Sequence, residues 1–299
     1  MSIDLVHAEI EVDGLRFHYA AAGEGPLVLF HHGFPSCWVS FRLQMEALAD
    51  SYRVVSIDGL GANTSSKPDD LARYRLASLV DLVDRIALEL GGGDPFCLVG
   101  HDWGAALAWA FAQARPERLH AVAALSAPPY NQMIDLLRTS DDQRGRSSYM
   151  WDMRDGALHR YMTTDPDRLY DYICGPLDEL PGYDDEMAAA FRAAFAEPGA
   201  IDGGIDWYRA NVPARDDLAT FTAWPADDAA TTVPVLQIWG DDDHTFVPDF
   251  LDGLGAYADD LTVHRLAGVR HWPMIERPDE VNSLLRDLFG RAVTSSRSA

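Results

Sequence analysis

The stretch "CLVGHDWGAALAWAFAQARPERL", Cys97 to Leu119, carries the clearest indication of fold in this chain. It begins with a short apolar run, turns at "GHDWG", and continues into a small-residue segment with helical periodicity. Gly100 and Gly104 flank Asp102, and this spacing permits a strained strand-to-helix turn that exposes the central side chain. The sequence therefore predicts that Asp102 lies at the tip of such a turn.

Short apolar runs alternate with helical segments on both sides of this stretch. The runs begin at Leu27, Tyr52, Pro95, Leu119, Val233 and Leu261. Such runs are typical of buried parallel strands, and helices are predicted over 76–90, 104–114 and 278–289. Two further strand-like stretches, 7–12 and 15–21, flank a "DG" hairpin signal. The pattern predicts an α/β fold with a mostly parallel, doubly wound sheet.

The alternation breaks from about residue 128 to residue 224. Strand signals vanish there, and five prolines interrupt the helical pattern: Pro166, Pro176, Pro181, Pro198 and Pro213. Residues 129–224 are therefore predicted to form an inserted helical cap, with 1–128 and 225–299 as the two parts of the core. An insertion between two strands would lie over their carboxyl ends, where open α/β sheets bind ligands.

The composition excludes several classes of partner. The chain has 47 acidic and 24 basic residues, a net charge of -23, which argues against nucleic acid or an anionic membrane as partner. No apolar run approaches the roughly 18 residues of a membrane helix, and the first residues lack a secretory pattern. Cys37, Cys97 and Cys174 are odd in number and fit no metal spacing. We expect a cytoplasmic protein with reduced thiols and no bound metal.

A carboxylate at this turn suits attack on an electrophilic sp3 carbon, which forms an ester that activated water then hydrolyses. The mechanism needs a histidine base and a second acid that orients it. His271, in "GVRHWPMIERPDEV", follows the last predicted strand and is the candidate base. The acid lies in "WGDDDHTFVP": Asp243 is our choice, and Asp242 stays a rival because the interval from Asp243 to Pro248 is one residue longer than expected.

Two backbone N–H groups are also needed for the oxyanion that forms during ester hydrolysis. In "HHGFP", His31 to Pro35, Gly33 permits a tight turn. A cis Phe34-Pro35 bond would aim the N–H of Phe34 into the site, where Trp103 would supply the second N–H. An ordinary turn without this role is the alternative interpretation.

The segments "HGFP", "GHDWGAA", "RPERL" and the terminal "HW....RPDEV" together resemble the α/β-hydrolase superfamily. The resemblance is to the branch with an Asp nucleophile, which contains epoxide hydrolases and haloalkane or haloacetate dehalogenases, and it is strongest to epoxide hydrolases. It implies an α/β-hydrolase fold in which Asp102, Asp243 and His271 are nucleophile, acid and base. It further implies a small-molecule epoxide and water as partners, a vicinal diol as product, and no cofactor. Exposed apolar cap surface in relatives often supports homodimers.

The resemblance also assigns two cap tyrosines that donate hydrogen bonds to the epoxide oxygen. "DWYRAN" matches one motif and gives Tyr208, whereas "SSYMWDMRDG" gives Tyr149 without the usual Gln and Pro. Either tyrosine could instead belong to the core of the cap. Four other aromatic residues compete for the role or would favour a bulky substrate, unless they form the cap's own core: Trp151, Tyr161, Tyr170 and Tyr172.

Some positions depart from the epoxide hydrolase pattern. Leu60 and Asn63 replace the usual Arg and Gly, and Ser36 stands where many members carry a Glu that holds the hydrolytic water. A hydrolytic dehalogenase with the same triad is the alternative function, although Phe34 occupies the position of its halide-binding Asn. A protein that only binds a ligand in this pocket is a third hypothesis.

Overall fold

The computed structural model describes residues 3–180 and 182–296 of the chain. In these residues eight strands form one sheet: β1 (Val6–Val12), β2 (Leu15–Ala22), β3 (Leu27–His31), β4 (Arg53–Ile57), β5 (Phe96–His101), β6 (Leu119–Leu125), β7 (Val235–Gly240) and β8 (Leu261–Leu266). The strand order is β1-β2-β4-β3-β5-β6-β7-β8. Only the β1–β2 and β2–β4 pairs of this sheet are antiparallel, so the predicted mostly parallel sheet is confirmed.

The helices connect and cover these strands. They are α1 (Arg42–Leu48), α2 (Leu76–Gly91), α3 (Trp103–Ala114), α4 (Tyr130–Thr139), α5 (Asp141–Arg146), α6 (Ser148–Arg154), α7 (His159–Thr164), α8 (Pro166–Ile173), α9 (Asp185–Ala196), α10 (Ala200–Asn211), α11 (Phe250–Gly253), α12 (Pro273–Glu276) and α13 (Pro278–Ser296). Helix α1 packs with α13, and α2 packs with α3, each pair against strands of the sheet. The doubly wound α/β fold predicted from the sequence is confirmed.

Burial follows each strand's place in the sheet. The central strands β3, β5 and β7 are buried along their whole length, because helices cover both faces. β8 was also predicted to be buried, and this is wrong for most of its residues. The strand lies at the edge of the sheet, where its apolar run has a neighbour on one side only. At the opposite end, Asp13 and Gly14 have positive φ angles of 52° and 72°, as the predicted hairpin requires.

Between β6 and β7 the described residues contain the helices α4 to α10 and no strand that joins the sheet. Pro166 begins α8, where a missing N–H costs nothing, while Pro181 lies outside the described residues. This helical insertion agrees with the predicted cap, whose limits at residues 129 and 224 stay a prediction. None of the described helices is both long and apolar enough to cross a membrane. The thiols Cys37, Cys97 and Cys174 are buried and free of disulfides.

Candidate active site

Asp102 occupies the turn between β5 and α3 in a conformation that residues other than glycine rarely adopt, with φ 54° and ψ -121°. The surrounding backbone is tightly packed. A Cβ atom on Gly100 would lie 2.0 Å from the carbonyl oxygen of Gly104, and one on Gly104 would lie 2.0 Å from that of His31. Both positions therefore require glycine, which accounts for the spacing of "GHDWG".

Residues from three separate loops meet at this turn. His271 follows β8, and its Nδ1 lies 2.8 Å from Oδ2 of Asp243, which follows β7. The Nε2 atom of the same ring lies 3.7 Å from Oδ2 of Asp102. The rival Asp242 is exposed, and its backbone N–H donates to the carbonyl of Val269. Asp243 is thus the carboxylate that contacts His271.

The charges of these three residues depend on one another. Burial raises the pKa of Asp102 and of Asp243, but their interactions with His271 outweigh it and lower both below the ordinary value of 3.8. Burial lowers the pKa of His271, but the charge of Asp243, the hydrogen bond with Asp243 and the interaction with Asp102 raise it to about 10. At neutral pH the site therefore holds two carboxylates and one imidazolium.

Three residues that the sequence analysis missed hold Asp243 and His271 in place. Thr245 donates to Oδ1 of Asp243 from its backbone N–H at 2.9 Å and from its hydroxyl at 2.7 Å. The carboxylate of Glu276 accepts the N–H groups on either side of His271, those of Arg270 and Trp272, each at 3.1 Å. Apart from the bond of the Thr245 hydroxyl, these contacts have backbone N–H donors, so spacing in the sequence gives little sign of them.

The third residue is His101, which directly precedes Asp102. Its Nε2 lies 2.7 Å from the carbonyl oxygen of His271 and can only donate to it. Burial lowers the pKa of His101 to about 3, so the ring is a neutral donor at physiological pH. The loop of His271 is therefore held through both its carbonyl and its flanking N–H groups.

The predicted oxyanion donors lie beside Asp102. The backbone N–H of Phe34 donates to Oδ1 of Asp102 at 2.9 Å, and the Phe34-Pro35 bond is cis as predicted. A Cβ on Gly33 would lie 2.2 Å from the same oxygen, so this close approach requires glycine. Trp103 is the first residue of α3, and its N–H belongs to the helix turn that lacks intrahelical acceptors.

Both predicted cap tyrosines face this site. Tyr208 in α10 packs edge-on against Trp103, with ring centroids 5.1 Å apart, and the ring of Tyr149 in α6 lies 6.3 Å from that of Tyr208. Burial raises the pKa of each phenol well above 10, and the charge of Asp102 adds to the effect. Both hydroxyls are therefore protonated donors. A cavity next to Asp102 is lined mainly by apolar and aromatic residues, including Trp103, Met133, Tyr149, Met150, Tyr208 and Phe246.

The helix that carries Tyr208 is tied to the core by its own motif. Asn211 accepts the N–H of Leu76 at 2.9 Å and donates to the carbonyl of Tyr74 at 2.8 Å. The indole of Trp207 donates to the carbonyl of Leu60 at 2.8 Å. Trp207 and Asn211 of "DWYRAN" therefore anchor α10 over the sheet, and this anchoring fixes the position of Tyr208.

The four competing aromatic residues are located elsewhere in the cap. Trp151 donates to the carbonyl of Pro213 at 2.9 Å, and Tyr170 donates to Asp178 at 2.8 Å. Tyr161 and Tyr172 are 45% and 71% exposed. Trp151 and Tyr170 belong to the cap's own core, so these four residues give no support for a bulky substrate. In the part of the chain that is described, no three His, Cys, Asp or Glu side chains are grouped so as to hold a metal ion.

Comparison with known proteins gives consistent matches. Residues 26–278 match the alpha/beta hydrolase fold family. Epoxide hydrolase 3 of Mus musculus is 31% identical over 94% of this chain and 77% of its own length. The AB hydrolase superfamily protein YfhM of Bacillus subtilis is 31% identical, over 92% of this chain and 95% of its own. The crystal structure of Bacillus megaterium epoxide hydrolase with an inhibitor superposes with a TM-score of 0.86 at 30% identity, covering 95% of this chain and 100% of that one.

Proposed function

We propose how this chain, which belongs to the α/β-hydrolase family and is an epoxide hydrolase, converts an epoxide and water into a vicinal diol. The observation that supports the mechanism is that two protonated tyrosines, Tyr149 and Tyr208, share a cavity with the ionised Asp102. A carboxylate nucleophile and acidic hydroxyl donors are the two groups that ring opening requires.

In the first half-reaction an oxygen of Asp102 attacks one epoxide carbon, and the bond from that carbon to the ring oxygen breaks. The electron pair of this bond moves to the oxygen, which takes a proton from Tyr208 or Tyr149. The product is an ester of Asp102 that carries a neutral alcohol on the adjacent carbon. His271 has no part in this bond change, and its positive charge keeps Asp102 ionised.

The second half-reaction begins once Asp102 is a neutral ester. The pKa of His271 then falls, because one of the two carboxylates that raise it has lost its charge. The ring can release its proton to the tyrosinate through solvent and then accept one from water. The resulting hydroxide attacks the carbonyl carbon of the ester, and the N–H groups of Phe34 and Trp103 stabilise the oxyanion. The bond from this carbon to the diol oxygen then breaks, and that oxygen takes the proton of the His271 imidazolium as the diol leaves. The new carboxyl group of Asp102 returns a proton to the ring, which restores the starting carboxylate and imidazolium.

Substitution of the base tests this mechanism. In His271→Ala the ester should form and persist, so intact-protein mass should rise by the mass of the whole epoxide, and peptide mapping should locate the adduct on Asp102. The double variant with Asp102→Asn is the matched control and should gain no mass. An adduct on another residue, or rapid turnover without any ester, would contradict the mechanism. A haloacid offered in parallel would give an adduct lighter by the hydrogen halide if the dehalogenase alternative were correct.

Several finer points from the sequence remain part of this proposal. The substrate is a small-molecule epoxide that reacts with water, and the apolar cavity beside Asp102 supports one with an apolar substituent. The cap spans residues 129–224 between two core segments. The cytoplasmic location and the homodimer stay predictions from the sequence.

A further inference from the structure

His32, the second histidine of "HHGFP", has no role in the mechanism above, yet its ring is buried beside the oxyanion loop. Its Nε2 lies 3.0 Å from the backbone nitrogen of Gly59, and its Nδ1 lies 2.6 Å from the carbonyl oxygen of Gly33. The N–H of Gly59 can only donate, so Nε2 is the acceptor. The neutral ring therefore carries its proton on Nδ1 and donates it to Gly33.

This hydrogen bond acts on the peptide unit that supplies the oxyanion donor. The carbonyl of Gly33 and the N–H of Phe34 belong to one trans peptide, so they point in opposite directions. The carbonyl receives the proton of His32 on one side, and the N–H lies 2.9 Å from Oδ1 of Asp102 on the other. We propose that His32 is a positioning residue that holds this peptide with its N–H directed at Asp102, an inference that rests on the proposed function.

The peptide needs such an anchor because its first residue is glycine. Gly33 can have no Cβ, since that atom would lie 2.2 Å from Oδ1 of Asp102, and glycine tolerates the dihedral angles of a flipped peptide. In the resting enzyme the negative charge of Asp102 also attracts the Phe34 N–H. In the ester that charge is gone, so the bond from His32 has its largest effect during ester hydrolysis.

The ring of His32 is itself fixed by the loop after β4. Asp58 is fully buried and accepts hydrogen bonds from the N–H of Trp38 at 2.7 Å and the side chain of Asn63 at 2.7 Å, and its Oδ2 lies 2.6 Å from Nδ1 of His18. These bonds hold the loop that presents the N–H of Gly59. Burial lowers the pKa of His32, which keeps the ring neutral and its Nε2 free to accept.

Two substitutions separate the effects of the two hydrogen bonds that the His32 ring makes, one with Gly33 and one with Gly59. In His32→Asn the amide nitrogen can occupy the place of Nδ1 and donate to Gly33, but it cannot reach Gly59. In His32→Gln the amide lies one bond further out, so it can accept from Gly59 while the carbonyl of Gly33 loses its donor. We expect ester formation within about 10-fold of the parent rate in both variants. Ester hydrolysis should be slowed about 100-fold in His32→Gln and much less in His32→Asn, in line with the loss of one oxyanion donor.

Single-turnover mass spectrometry gives both rates, and the ester should accumulate in His32→Gln only. Equal slowing in the two variants, or slowing of both half-reactions alike, would overturn the positioning role in favour of simple packing. NMR of the unaltered enzyme gives a test that needs no variant to fold: the ¹⁵N spectrum should show His32 protonated on Nδ1, and protonation on Nε2 would overturn the proposal. Failure of His271→Ala to form any ester would instead overturn the proposed function, whatever the state of His32.

Discussion

The Nε2 atom of His271 stands 3.7 Å from Oδ2 of Asp102, beyond the distance of a good hydrogen bond. The carboxylate of Asp102 thus keeps an electron pair available for attack, while its charge still acts on the ring. With Asp243 on the other side, this charge contributes to a His271 pKa of about 10. The state of Asp102 therefore controls the state of His271, so the nucleophile acts first and the base second.

Asp102→Asn should lower the pKa of His271. The amide has the shape of the carboxylate but no charge, so it imitates the neutral ester and removes one of the two negative neighbours of the ring. The imidazole ¹⁵N shifts followed through a pH titration would give the pKa in each protein. An unchanged value of about 10 would mean that Asp243 alone sets it, and would contradict the proposed sequence of steps.

The same substitution should change how stability depends on pH. The folded-state pKa of His271 lies above its ordinary 6.5, so its stabilising contribution is complete below about 6.5 and is lost as the pH rises to about 10. In Asp102→Asn this loss should end at a lower pH. Urea denaturation at intervals across this pH range would measure the free energy of unfolding, with His271→Ala as the control that lacks this pH dependence. Parallel plots of unfolding free energy against pH for the parent and Asp102→Asn would contradict the expectation.

Asp243→Asn should impair ester hydrolysis far more than Asp242→Asn. The amide would leave the ring of His271 without its charge partner and would favour the wrong tautomer, an effect that costs about 10⁴-fold in related triads. Asp242 is exposed and makes no contact with His271 among those described, so its variant is a matched control one residue away. Steady-state turnover rates of both variants test this expectation. Comparable losses of turnover would show that activity depends on the conformation of the turn and not on the Asp243 carboxylate.

Tyr208→Phe and Tyr149→Phe should each slow ring opening, by about 10- to 1000-fold, because each removes one donor to the developing alkoxide. The double variant should form hardly any ester. Tyr170→Phe is the control, because Tyr170 is a buried cap tyrosine whose hydroxyl contacts Asp178 and Tyr183. Rates of ester formation in the His271→Ala background isolate this step. If the three single variants lost activity equally, the two tyrosines would have no special role.

Local rules explain why much of this site could be predicted. The close backbone contacts of Gly100 and Gly104 are enough for "GHDWG" to specify the turn. A histidine after the last parallel strand must lie at the carboxyl edge of the sheet, where Asp102 also lies. The choice between Asp242 and Asp243 depends on which side of one turn faces the ring, and no sequence pattern shows that. The exposure of β8 follows from strand order, which is a property of the whole sheet.

Three residues that the sequence pattern did not identify were missed for one physical reason. His101, His32 and Glu276 act on backbone carbonyl or N–H groups, which every residue carries, so their partners cannot be identified from side-chain types. In the cap, side-chain types alone do not distinguish residues of the site from residues of the cap's own core. Trp151 and Tyr208 are equally suited by composition to line a pocket, but only the anchoring of α10 through Asn211 directs Tyr208 toward Asp102.

Gly204→Ala should destabilise the protein and slow ester hydrolysis together. A Cβ on Gly204 in α10 would lie 1.9 Å from Cδ2 of Phe34, so the ring and the oxyanion loop behind it must shift. Such overpacking costs about 1–3 kcal/mol. Gly290→Ala is the control within α13, because a Cβ there meets no atom within 4 Å and should stabilise the helix by up to about 1 kcal/mol. Urea denaturation and single-turnover hydrolysis should separate the two variants. Full activity in Gly204→Ala would show that Phe34 can move without disturbing the N–H donated to Asp102.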